Sequence, residues 1–209
     1  MKLPDRFLKP PVFALCLAPF AWLVTRAVLN QLGANPIEKM LNALGWWALF
    51  MLVASLAMTP LQLVMGWNWP IRIRRMVGLF AFFYASAHLL VYAGGDNAFN
   101  WHDIWADVHK RKFMAVGFVA WLLLVPLAAT STTKMMQLLK FQRWKKLHRL
   151  AYVAAALGVV HFIWRVKRDE TEPIRFGAIL GVLLVLRVIY ALRGRMGPRI
   201  RRPQAVPGE

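Results

Sequence analysis

The chain has 209 residues, 59% of them hydrophobic, and 27 Lys/Arg against nine Asp/Glu give it a formal charge of +18. Its mean hydropathy is +0.46, and its apolar share exceeds the roughly 45–50% of soluble domains, which excludes an ordinary soluble fold. The single cysteine, Cys16, excludes an internal disulfide.

Six apolar runs follow one another, each near the roughly 20 residues that a helical span requires. The first, residues 11–29, stands behind Lys2, Arg6 and Lys9 and lacks a convincing cleavage site, so it reads as a retained helix. A loop with a Gly33-Ala34-Asn35-Pro36 turn leads to the second run, 43–65. Residues 66–75 carry Trp67, Trp69, Arg72, Arg74 and Arg75, and the third run, 76–94, contains His88. The stretch 95–112 reads as the longest outer loop, with Asp96, Asp103, Asp107, His102 and His109; Gly94 and Gly95 at its start should end the third helix. The fourth run is 113–130. Residues 131–149 are basic and amphipathic, which predicts a surface helix, and they include His148. His161 lies in the fifth run, 150–166, a short turn covers 167–173, and the sixth run is 174–192. The chain thus divides into a membrane domain, 1–192, and a basic, disordered cytoplasmic tail, 193–209.

The charges give this order a direction. With a cytoplasmic N-terminus, the inner segments hold 18 Lys/Arg and two acids, and the outer ones nine Lys/Arg and seven acids. That asymmetry predicts six spans with both termini in the cytoplasm. The basic excess then reads as topology and contact with anionic lipid, and nucleic acid is not an expected partner.

The histidines carry the chemistry. An imidazole deep in an apolar span is costly unless something binds it. His88 is 12 residues beyond Met76, or roughly 18 Å along a helix, and His161 is 13 residues beyond His148. Both fall in the outer half of spans running the same way, the arrangement that two axial ligands of one haem iron require. His148 lies at the inner boundary, where it would ligate a second haem. Thirteen residues turn an ideal helix by about 220°, so His148 and His161 share no face unless the helix bends at Gly158 or begins after His148. Arg74 and Arg75 suit a flavin phosphate or a quinone at the inner surface. Arg187 is expected to snorkel to the cytoplasmic boundary. Nucleotide fingerprints and Cys clusters are absent from the sequence, so any redox chemistry belongs to a cofactor.

The segments Gly33–Pro36, Ala54–Leu61, Ile73–Leu79, Tyr84–Leu89, Pro126–Ser131, Trp144–Tyr152 and His161–Trp164, taken together and in order, resemble the MsrQ (YedZ) family. These are haem-binding membrane subunits within the ferric-reductase-like transmembrane domains. The resemblance implies an all-α, six-helix bundle with haem b in its core, held by His88, His148 and His161. It also implies FMN as a further cofactor, electrons from the quinone pool or a cytoplasmic flavin reductase, and delivery to MsrP. MsrP is a periplasmic molybdopterin enzyme that repairs oxidised methionine. The location implied is the bacterial inner membrane. The alternative is a stand-alone transmembrane haem ferric reductase or cytochrome b.

Overall fold

A computed structural model of the protein describes residues 5–166 and 169–196, and all regular structure among them is helical. The helices are α1 (Asp5–Val28), α2 (Pro36–Met65), α3 (Trp69–Val91), α4 (Trp101–Lys110), α5 (Lys112–Ala129), α6 (Thr133–Leu138), α7 (Phe141–Leu147), α8 (Leu150–Arg165) and α9 (Thr171–Met196). Six helical stretches are long and apolar enough to cross a membrane: Phe7–Val28, Pro36–Met65, Trp69–Gly95, Lys112–Ala129, Phe141–Arg165 and Thr171–Leu192. The chain is an all-α, multi-pass membrane protein. α9 runs past Leu192 to Met196, and the expected tail lies outside the described residues from 197 onward.

Local chemistry sets the boundaries. Asn35 caps α2, its side chain accepting from Glu38 N (3.2 Å) and donating to the Glu38 carboxylate (3.0 Å), with Pro36 opening the helix. Gly66, at φ 70°, closes it in the left-handed conformation that glycine adopts without strain. Asp169 accepts from Thr171 N (2.9 Å) at the start of α9; the Thr171 hydroxyl, then this backbone bond, hold its carboxyl below the ordinary value.

The interior rests on two hairpins, α2 against α3 and α5 against α8, with α9 across α2 and α8 and α1 against α3. Tyr84 of α3, fully buried, inserts its hydroxyl into the ladder of α1. It donates to Cys16 O (2.8 Å) and accepts from Phe20 N (3.1 Å), two groups that would otherwise pair with each other. Trp46 of α2 donates to Glu172 of α9 (3.2 Å), and Trp121 of α5 donates to Ser86 of α3 (3.0 Å). Outward faces stay apolar, as at Trp22, Val182, Val185 and Val188, which suits a helix surface solvated by lipid.

Two connections differ from expectation. The 95–112 stretch is mostly helical: α3 passes into a π-helical turn, Tyr92–Asp96, and α4 follows, capped by Asn100. The amide-bearing Asn100 supplies the cap that restarts the helix after the turn. The 131–149 stretch is two short helices rather than one, because the backbone at Lys140 adopts φ 58° between α6 and α7. A left-handed residue cannot continue an α-helix.

Candidate functional site

His88 on α3 and His161 on α8 meet across the bundle, their ring centroids 6.2 Å apart and their planes at 89°. Each ring is held from behind in the same way. His88 Nδ1 bonds the Leu41 carbonyl of α2 (2.9 Å), and His161 Nδ1 bonds the Phe113 carbonyl of α5 (2.7 Å). A carbonyl only accepts, so both Nδ1 atoms carry the proton and both Nε2 atoms present a lone pair.

A glycine makes each of these bonds accessible. Four residues beyond Leu41 is Gly45, where an added Cβ would lie 3.3 Å from the His88 ring. Four residues beyond Phe113 is Gly117, where it would lie 2.5 Å from His161 Nδ1. Residue i+4 of a helix stands directly over carbonyl i, so a glycine there opens the carbonyl to a side chain from the facing helix. The device occurs a third time away from the histidines: Ser55 donates to the Arg74 carbonyl (3.1 Å), with Gly78 one turn on. Nothing in the sequence reading drew attention to Gly45 or Gly117, although Gly-at-i+4 is visible once the acceptor is known.

Both histidines line a cavity of about 950 Å³, walled by Leu49, Leu52, Ala85, Leu124, Ala154 and Phe162 and reaching toward Tyr92, Phe99, Trp101, Arg111 and Arg165. Two imidazoles bound end-on to one metal at about 2 Å per bond hold their centroids roughly 6 Å apart. The observed spacing, the two free Nε2 atoms and the mostly apolar wall therefore fit an iron porphyrin ligated from both faces.

The other predicted residues lie elsewhere. His148, at the end of α7, stacks on Trp144 (4.0 Å) and bonds its carbonyl (3.1 Å), and its buried Nε2 makes no well-formed hydrogen bond among the described residues. α8 begins at Leu150, after His148, which is one of the two conditions that free its ring from the helix register. His148 is not among the residues lining the cavity. Arg74 points inward and donates to Thr59 (3.1 Å), whereas Arg75 is exposed. Arg187 does not snorkel. It donates to the Leu56 carbonyl (2.9 Å) and lies over the Tyr152 ring (4.9 Å), with Nε buried and unpartnered. Packing against α2 and α8 holds it inside the bundle. His102 and His109 are exposed on α4. Among the described residues, no group of three or more His, Cys, Asp or Glu is arranged to hold a metal ion.

Residues 44–159 match the family of ferric reductase like transmembrane components. Over 195 residues the chain is 52% identical to the protein-methionine-sulfoxide reductase heme-binding subunit MsrQ of Rhodospirillum rubrum, covering 93% of this chain and 94% of that protein. The subunit of the same name from Herminiimonas arsenicoxydans is 47% identical over 190 residues, covering 90% and 87%. That of Caulobacter vibrioides is 42% identical over 187 residues, covering 90% and 89%.

Proposed function

The chain belongs to the MsrQ family of haem-binding subunits, and on that premise we propose that it is the haem b electron-transfer subunit of a protein-methionine-sulfoxide reductase system in the bacterial inner membrane. Its electrons come from the quinone pool, with FMN as a further cofactor, and its acceptor is the periplasmic molybdopterin reductase MsrP. The observation that carries this reading is the opposed pair His88 and His161, each with Nδ1 held by a carbonyl and Nε2 free.

Haem b, when bound, supplies reversible one-electron transfer. His88 and His161 would hold its iron through Nε2, and the Leu41 and Phe113 carbonyls fix their tautomer and raise their basicity. The mostly apolar cavity wall would limit solvent access to the iron, which reduces the solvent reorganisation that electron transfer requires. At the opposite end, the half-buried guanidinium of Arg74 offers donors to a quinone oxygen or a flavin phosphate, while His148, its Nδ1–H held by the Trp144 carbonyl, presents a lone pair at Nε2. Arg75, exposed, contributes charge to that surface and not a contact in the core. His148 would hold a second haem only outside the cavity that His88 and His161 line. The excess of basic residues supports an orientation with the Arg74 end toward the cytoplasm and the α4 end toward the periplasm. On α4, the exposed Asp103 accepts from the Asn100 side chain (2.6 Å) and lies 3.5 Å from the His102 ring, while Asp107 is engaged by Tyr92 (2.8 Å) and Arg111 (3.3 Å).

Absorption spectroscopy of the purified protein tests the reading. Wild type shows the Soret and α bands of a low-spin, bis-imidazole haem, and replacing both His88 and His161 by Ala removes them. A colourless wild type, or a double variant with an unchanged spectrum, refutes it. His148→Ala lowers the haem:protein ratio only if a second haem is present.

A further inference from the structure

The charged residues of the cavity are not equally satisfied. Glu38, exposed at its mouth, is held by the Asn35 side chain (3.0 Å). Arg111 pairs with Asp107 (3.3 Å), whose second oxygen accepts from the Tyr92 hydroxyl (2.8 Å). Arg165 lines the same cavity and, among the described residues, has no ion pair or hydrogen bond from its side chain. It is the last residue of α8, four beyond His161, and residues four apart share a helix face. The Arg165 backbone therefore stands about one turn, roughly 6 Å of helix rise, beyond that of His161, whose ring is at the centre of the site. The rest of the mouth is Phe99, Trp101, Ile104 and Val108, which offer no counter-charge.

Resting on the haem reading above, we propose that Arg165 anchors a carboxylate of the cavity's ligand, a haem propionate, so that the propionate edge of the macrocycle faces the α4 end of the bundle. A guanidinium in a partly desolvated mouth forms charge-assisted hydrogen bonds with a carboxylate. The alternative role, an interfacial anchor with no contact to the ligand, requires none of the selectivity for charge that an anchored propionate imposes. Arg165 is a positioning residue here; the iron bonds belong to the histidines.

Detergent-solubilised holoprotein provides the test, using wild type, Arg165→Gln and Arg165→Lys. Charge-assisted bonds of this kind set the scale, so transfer of haem from Arg165→Gln to apomyoglobin should be about tenfold faster or more. Arg165→Lys, which keeps the charge, should stay within a few-fold of wild type. The low-spin spectrum persists in both, and the midpoint potential of Arg165→Gln falls, because a nearby cation favours the reduced iron. Membranes from haem-deficient cells, reconstituted with haem b or with its dimethyl ester, isolate the carboxylate: with the ester, wild type and Arg165→Gln release haem at the same rate. Equal release rates with haem b overturn the proposal. So does an equal acceleration with the ester, which would mark a general loss of structure. A wild type without a Soret band sinks the haem reading itself, and this inference with it.

Discussion

An imidazole in an apolar bundle needs a partner for its N–H, and here the partner is a helix carbonyl that already accepts a backbone bond. Carbonyl oxygens have two lone pairs, so Leu41 and Phe113 serve both the helix and a histidine. Access is what limits this arrangement, and Gly45 and Gly117 supply it. The two glycines are not equally tight, which gives a graded prediction. Gly117→Ala places a methyl 2.5 Å from His161 Nδ1, so the ring must leave the Phe113 carbonyl; most of the haem absorbance should be lost. Gly45→Ala meets the His88 ring at 3.3 Å, where a shift of a few tenths of an ångström suffices, and most of the absorbance should remain. Overpacking of this kind costs about 1–3 kcal/mol, and haem:protein ratios of the two variants, read side by side, check the order. Equal ratios would show that the glycines do not gate the histidines. Both histidines stood out in the sequence because a polar ring in hydrocarbon is anomalous on its own. The glycines did not, because a glycine in an apolar helix is ordinary until the neighbour it admits is known.

At the scale of elements, Tyr84 hydrogen-bonds α1 to the bundle, beside ring contacts such as Phe13–Phe80 and Phe20–Phe83. The hydroxyl of Tyr84 bridges Cys16 O and Phe20 N, which lie four residues apart on α1. Removing the hydroxyl lets those two groups pair again, so Tyr84→Phe should cost only about 1 kcal/mol. Tyr84→Ala removes a fully buried ring as well and should cost about 3–5 kcal/mol. Thermal unfolding in detergent, followed by circular dichroism, measures both; a Phe variant as damaged as the Ala variant would contradict the re-pairing. The existence of α1 was legible from its apolar run, but its attachment was not, since the bond joins residues 64 and 68 positions apart. Arg187 makes a similar point for α9. Its position near the end of an apolar run suggested a snorkelling side chain, yet the Leu56 carbonyl and the Tyr152 ring retain it inside. Cation–π contact and a carbonyl bond together replace the water it gives up.

For the molecule as a whole, the charge asymmetry between the two ends predicts how it sits in the bilayer. In a Cys16→Ala background, a cysteine replacing the exposed His102 on α4 should react with an impermeant maleimide in cells whose outer membrane has been permeabilised. A cysteine replacing the exposed Lys134 on α6 should react only after the inner membrane is opened. The reverse pattern would invert the proposed donor and acceptor sides, leaving the His88–His161 geometry untouched.

By itself, the sequence determined six spans, the charge asymmetry and the two intramembrane histidines at matching depth. Each of these depends on hydropathy, charge or spacing along a single stretch of chain. Only the tertiary structure decided which carbonyls hold the imidazoles, that Arg74 turns inward and Arg75 outward, that His148 stands apart from the cavity, and that Arg165 meets no counter-ion there among the described residues. The physical reason is distance along the chain: His88 meets Leu41 across 47 residues and His161 meets Phe113 across 48. Composition within a span records how well lipid solvates it, but contains no term for which neighbouring helix will present an open carbonyl.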